Sequence, residues 1–268
     1  MGSGARPEAR RRRLGPDQKD HRRATPRARP GQGARPELKR KLLETLRASR
    51  EREAELEAGS VDAPADPDSL WSAKDHLAHL AWWRNRAADT LNAARTGRDV
   101  PAPVDETERN AQTYMEHKDR SAAEIKEEAR VSWDRLEQAV EACSEEELVK
   151  PHPVQPDRPL WDSASGNYAH LGNHLMFWHM DSNREKAAES AAMWAYEVDG
   201  NIFGTPKTQA YAAYNLACFY ARAGSRDRAL PLLRHGFEGA PNLVDYARTD
   251  PDLESIRNDP RFMELLEG

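Results

Sequence analysis

Four stretches of about twenty residues carry apolar side chains at steps of three and four. Proline-rich segments separate them, and no stretch shows the period-2, β-branched alternation of a strand. That pattern leaves helices as the only regular structure able to bury the apolar side chains on one face. From about residue 37, "ELKRKLLETLRASREREAELEA" places Leu38, Leu42 and Leu46 on one stripe, and "VDAPADPDS" ends it. A second helix opens at Ser72, whose hydroxyl caps the first turn while Asp75 reaches back in a capping box. Along it His76, His79, Leu80, Trp83, Ala87 and Leu91 fall within roughly 120° of arc, so His79 is expected to point inward. A third region has a short piece near Glu108 to Lys118 and a longer one from Ser121 to about Ala142. The longer piece carries Ile125, Ala129, Trp133, Leu136 and Val140 on its apolar face. The segment "KPHPVQPDRPLW" then leads into a fourth helix with the run "GNYAHLGNHLMFWH". The expected fold is all-α: an up-and-down or crossover four-helix bundle over residues 37–190.

Charge divides the chain. Residues 1–36 hold eleven Arg or Lys against three acids and almost no large apolar side chains, the composition of a disordered basic tail. The remainder holds 29 basic residues against 42 acidic ones, a net charge of about −13 that disfavours binding of phosphate backbones by the folded part. The tail has no apolar core of a signal peptide, and no stretch approaches eighteen consecutive apolar residues, so neither export nor a membrane span is expected. Cys143 and Cys218 stand far apart without metal-ligand or redox spacing, which suits a reduced cytoplasm. There is no Gly-rich phosphate loop, and "DSASG" lacks the frame of a nucleophile elbow. Kinases, ATPases, dehydrogenases and serine hydrolases are therefore poor candidates.

The chemistry concentrates in three histidines. His170 and His174 lie four apart, about 40° from one another on a helix, and can present two imidazoles to one point. His79, from the second helix, would complete a facial triad suited to zinc, nickel or ferrous iron with positions left open for water or substrate. The competing reading is partly buried histidines hydrogen-bonded to backbone carbonyls. Asp75, one turn before His79, is either an orienting partner for that imidazole or only the cap of its helix. His76 faces the core without an identified partner. Trp71, Trp82, Trp83, Trp161 and Trp178, with Phe177 on the strip of His170 and His174, offer aromatic area on which a planar ligand would stack; core and helix-end packing is the alternative use.

Residues 191–268 read differently. In "QAYAAYNLACFYARAGSRDRALPLLRHGFEGAP" the positions Leu216, Ala217, Tyr220, Ala229, Leu233, Gly236 and Pro241 have the spacing of a 34-residue tetratricopeptide unit. One such unit cannot bury its own faces, so it is expected to lean on its flanking helices or on the bundle. A structural or homodimer-forming appendage is favoured over a peptide-docking groove.

Residues 37 to about 188 resemble the ClbS/DfsB family of the wider DinB-like superfamily. The resemblance rests on "LLETLRASREREAEL", "WSAKDHLAHLAWW", "ERNAQTYMEHKDRSAAEIKEEARVSWDRLEQAVEACSEEEL" and "SGNYAHLGNHLMFWHMD". It implies a DinB-like four-helix bundle. Many DinB-like proteins hold a divalent metal through one histidine of the second helix and an H-x-x-x-H pair of the fourth, and His79, His170 and His174 occupy the matching positions. The ClbS/DfsB likeness implies a bacterial self-resistance protein that inactivates an electrophilic, DNA-alkylating small molecule, for example by hydrolytic opening of a strained ring. A metal on His79, His170 and His174 would activate water for such a step, with Asp75 orienting His79, and these four are the expected catalytic set. Part of the superfamily is associated with low-molecular-weight thiols, which makes a metal-dependent thiol transferase the alternative, with Arg84, Arg86 and Asn173 available to the thiol cofactor. A protein that only sequesters its ligand, and a protein-interaction module presenting Tyr211, Tyr214 and Phe219, are the non-enzymatic alternatives.

Overall fold

The computed structural model describes residues 37–59 and 71–267; the basic tail and the "VDAPADPDS" connection lie outside the described residues. In chain order the helices are α1 (Glu37–Glu57), α2 (Ala73–Thr96), α3 (Glu106–His117), α4 (Ala122–Ala142) and the single turn α5 (Glu145–Leu148). Strands β1 (Pro151–His152) and β2 (Gln155–Pro159) follow, then α6 (Asp162–Asp181), α7 (Glu185–Tyr196) and a π-helical turn over Glu197–Ile202. The chain closes with α8 (Pro206–Arg222), α9 (Arg226–Gly239), α10 (Asn242–Ala247), a 3₁₀ turn over Pro251–Ile256 and α11 (Pro260–Glu267).

The bundle consists of α1, α2, α4 and α6. Helix α2 packs on α4 and α6, and α1 closes the other side against the same two. The apolar stripes expected from the 3.6-residue period are the ones buried. Leu42 and Leu46, Leu77, Leu80 and Leu91, Ile125, Ala129, Trp133, Leu136 and Val140, and Leu171 and Leu175 all lie in one core. Both long helices that carry the third-region and second-region stripes start with capping boxes, Ser72 with Asp75 and Ser121 with Glu124. Each box satisfies two backbone or side-chain donors that the first helical turn would otherwise leave unpaired, which fixes where each helix begins and therefore which face turns inward.

One sequence expectation needs revision. The proline-rich segment after α5 forms a small antiparallel hairpin, with Pro151 opposite Pro159 and His152 opposite Gln155. It was invisible as a strand because it is short, mostly exposed and interrupted by proline, so no buried face imposes an alternating pattern. The break placed at residue 190 falls inside α7, which packs on α6 on one side and α8 on the other. One apolar core runs from the bundle into the C-terminal helices.

The helices α8 and α9 pack closely against each other. A Cβ at Gly239 would sit 2.7 Å from Ala210 Cβ, and one at Gly236 would sit 3.2 Å from the Ala210 carbonyl. The closest such approach inside the site-bearing part is between α6 and α7. A Cβ on Gly172 would lie 2.9 Å from Ala195 Cβ and 3.0 Å from both the Ala191 carbonyl and the Ala195 nitrogen. Backbone cannot give way as a flexible side chain does, so Gly172→Val is expected to cost about 1–3 kcal/mol by overpacking. Urea unfolding checks this; a midpoint equal to that of the parent protein would show that α7 moves aside freely.

Candidate metal centre

The folding of α2 and α6 delivers three imidazoles to one place. Ser72 caps α2 by accepting from the Asp75 amide, and Asp75 Oδ2 accepts from both the Ser72 amide (2.8 Å) and the Ser72 hydroxyl (2.7 Å). From that fixed start, His76, His79 and Trp83 project toward α6, where His170 and His174 occupy neighbouring turns. His79 Nε2 lies 3.1 Å from His170 Nε2, and His174 Nε2 lies 3.0 Å from the same atom. Ligand atoms of all three histidines fall within 4.8 Å of one another. His79 and His174 are buried, while His170 retains an opening to solvent.

The environment holds these rings neutral. Burial, reinforced by the neighbouring His170 and His76, keeps His79 well below the ordinary imidazole range. Burial with the His170, His79 and His76 neighbours does the same for His174, and burial with the Arg84 charge brings His170 down to about 4. A neutral imidazole keeps a lone pair for a cation.

Hydrogen bonding alone cannot satisfy this cluster. His170 Nε2 faces two other nitrogens but has a single in-plane orbital, so it can share a proton with only one of them at a time. A divalent cation between the rings would use every converging lone pair. Metal–nitrogen bonds of about 2.0–2.1 Å set nitrogen–nitrogen separations of about 2.9–3.4 Å between right-angled and tetrahedral arrangements. The observed 3.0 and 3.1 Å fall in that interval. The donor set of three imidazoles suits zinc, nickel or ferrous iron.

Around the triad stand groups that orient it. His76 Nδ1 lies 2.8 Å from His174 Nδ1, which fixes the ring of His174 with its Nε2 toward the other two histidines. Trp71 stacks on His174 with ring centres 5.7 Å apart and meets His79 edge-on at 5.0 Å. Trp83 stands edge-on to His79 and His170 at 6.1 and 6.3 Å, and Trp178 touches His76 at 6.1 Å. Helix α3 covers the opening: Thr113, Tyr114 and His117 line a narrow cleft together with Trp71, Asp75, Ala78 and His79. The buried amide oxygen of Asn110 bears on His79 and favours a proton on its ring, yet no hydrogen bond of ordinary geometry reaches it.

The remaining sequence candidates divide. Asp75 is present beside the cleft, but its hydrogen bonds go to the helix cap. Trp82 packs on Trp83 at 4.8 Å and carries the Arg109 and Arg86 guanidinium groups over its ring at 4.9 and 5.7 Å, on the outer side of the aromatic wall. Phe177 sits under Arg222 of α8 at 5.5 Å and Trp161 against Phe203 at 5.6 Å, so both belong to packing with the C-terminal half. Arg84 is spent on a buried ion pair with Glu53. Asn173 lines a different cleft, against α7 and α8. Sequence reasoning missed Asn110 and the role of His76. A signal for Asn110 was present: in the short helix α3 the residues three and seven steps on are Thr113 and His117, its two buried residues, so its inner face is polar, which suits a site better than a core.

The family model of the DinB superfamily matches residues 40–178, slightly more than half of the chain. No curated protein and no solved structure matches the chain.

Proposed function

From the premise that this chain belongs to the DinB superfamily, we propose that it is a detoxification protein of the ClbS/DfsB type. It holds a divalent metal on His79, His170 and His174 and inactivates a reactive electrophile by hydrolytic ring opening. The observation that carries the reading is the convergence of three neutral imidazoles, with His79 and His174 each 3.0–3.1 Å from His170 and ligand atoms of all three within 4.8 Å, beside a narrow cleft. A bound divalent cation would supply Lewis acidity and bring water to a nucleophilic form near neutral pH.

The chain's own residues provide the rest. His76 orients His174 through their Nδ1 atoms. Asn110 stands ready to accept from the His79 ring once its other nitrogen is engaged. Trp71 and Trp83 form apolar walls that suit a planar, aromatic electrophile and limit bulk water at the opening. In the reaction a water oxygen forms a bond to a ring carbon, the strained ring bond breaks, and the electron pair it releases takes up a proton. Reduced surroundings fit the two cysteines, which are free and buried, and no helix among the described residues is long and apolar enough to cross a membrane.

Two alternatives draw less support. Sequestration alone would use the aromatic walls and leave the three converging imidazoles without a role. A thiol transferase needs basic or polar groups near the triad, whereas Arg84 is taken up by Glu53, Arg86 donates to the Pro101 and Ala102 carbonyls, and Asn173 lines the cleft against α7 and α8.

The test combines metal content by mass spectrometry with diol formation from a planar aromatic epoxide. The parent protein is expected to carry near-stoichiometric metal and to form diol; His170→Ala is expected to lose both while keeping its helical spectrum. Asn110→Leu is expected to weaken metal affinity by about 10–100-fold, the usual effect of removing a group that orients a ligand. No metal after careful reloading would overturn the centre, and metal without diol from any strained-ring probe would overturn the hydrolase.

A further inference from the structure

Helix α3 lies across the histidine centre, and its attachment differs from that of the four bundle helices. It gives no side chain to the apolar core of the described residues. Only Thr113 and His117 are buried along it, both polar, while Tyr114 and Met115 are 40 % and 62 % exposed. The two buried side chains find partners inside α3 itself. His117 Nδ1 donates to the Thr113 carbonyl at 2.7 Å, and Arg109 Nε donates to Thr113 Oγ1 at 3.0 Å. A helix that buries no apolar side chain and satisfies its inward groups internally loses little when it moves away as a unit.

What holds α3 down is polar and sits at its two ends. Helix α2 stops at Gly97, in the left-handed conformation with φ 68°, and residues 98–105 then run without regular structure through Pro101 and Pro103. Arg86 of α2 tethers that strap by donating to the Pro101 and Ala102 carbonyls at 3.2 and 2.6 Å. At the other end, Lys74 Nζ of α2 donates to the Lys118 and Arg120 carbonyls at 3.1 and 3.0 Å. Glu128 of α4 accepts from Arg120 and lies 3.4 Å from His117 Nε2. Partly exposed hydrogen bonds of this kind exchange readily for bonds to water.

In this position α3 obstructs the site. Thr113, Tyr114 and His117 meet Trp71, Ala78 and His79 so closely that no water molecule fits between them. The Asn110 amide oxygen is buried without a hydrogen bond, a cost that opening would relieve. A ligand that approaches His79 from this side therefore has to displace the helix.

We propose that α3 is a lid over the histidine centre, which swings outward on residues 98–105 and on the 118–121 turn to admit a ligand, with Lys74 and Glu128 as the latch that holds it shut. The proposal rests on the reading of the three histidines as the working site and assigns its gating to groups outside the triad.

The test uses the full chain, dialysed against a chelator and without substrate. Diethyl pyrocarbonate acylates neutral imidazoles, and mass spectrometry of the peptides reads each histidine separately. In Lys74→Met with Glu128→Gln, acylation of His79 is expected to run about tenfold or more faster than in the parent, while the exposed His235 keeps its rate. In the parent, amides of α3 are expected to exchange hydrogen at least about 100-fold faster than those in the middle of α2 and α6. In the variant only α3 and its flanks should exchange faster still. Protection of α3 equal to that of α2 and α6 in the parent would overturn the lid, and so would equal His79 rates in parent and variant. Faster exchange throughout α2 and α6 in the variant would place Lys74 and Glu128 in the stability of the bundle and overturn the latch. Neither readout uses metal or substrate, so both are decided separately from the hydrolase reading.

Discussion

Glu53→Ala is expected to destabilise the protein by about 3–5 kcal/mol, the usual cost of leaving a buried charge without its partner. Glu53 and Arg84 are each 1 % exposed. The guanidinium grips both carboxylate oxygens, at 2.5 and 3.1 Å, and its Nε donates to Ser132 Oγ at 2.7 Å. Trp133 Nε1 donates to the same carboxylate at 2.9 Å, and the Arg84 guanidinium stacks 4.2 Å from the Trp133 ring. Burial pushes the carboxyl up and the guanidinium down, so each charge persists through the other. The single change strands Arg84 in the core; Glu53→Leu with Arg84→Met removes both charges at once and is expected to recover most of the loss. Urea unfolding of Glu53→Leu, Arg84→Met and the double variant measures the coupling. A Glu53→Ala cost below about 1 kcal/mol would mean that water reaches the pair.

This pair also shows where the sequence stops being legible. Leu38, Leu42 and Leu46 repeat at helical spacing, and α1 could be recognised from them, but Glu53 is buried with Leu42 and Leu46, and its charge reads as a surface residue until Arg84 is placed opposite. Periodicity gives the inner face of one helix; it does not give the rotation of one helix against another, and the pairing of Glu53, Arg84, Ser132 and Trp133 depends on three such rotations. The histidines were legible for the opposite reason. The step from His170 to His174 is local to one helix, and the inward direction of His79 follows from Leu80, Ala87 and Leu91 around it. Phe177 fails by the same logic: one helical strip is wide enough for His174 to face α2 while Phe177, almost a turn further, meets Arg222 of α8. The ring of aromatics divided likewise, with Trp71 and Trp83 at the site and Trp161 in the packing against Phe203.

Acidification is expected to unfold the metal-stripped protein well before ordinary carboxylate titration would. An imidazole that burial holds below its ordinary value is neutral in the folded chain, whereas in the unfolded chain it takes a proton at about 6.5. Above about pH 6.5 both states are neutral and the histidine has no effect on stability. Below it the unfolded state binds the proton and the folded state does not, so stability falls with pH until the folded-state value is reached. For His170, brought down to about 4, the full loss is about 3 kcal/mol. His79 and His174 shift in the same direction and add to it. Asp199, pushed up to about 7, works against them, because its folded-state carboxyl gains a proton as pH falls. Comparing the parent protein with His170→Gln cancels that contribution and isolates one imidazole. Between about pH 6.5 and about pH 5, urea midpoints of the stripped parent should fall more steeply than those of His170→Gln. Equal slopes would show that His170 is already protonated in the folded chain, which would remove a lone pair from the proposed centre. Metal should reverse the trend in the parent, since bound ligand stabilises only the folded state and its nitrogens no longer compete for protons.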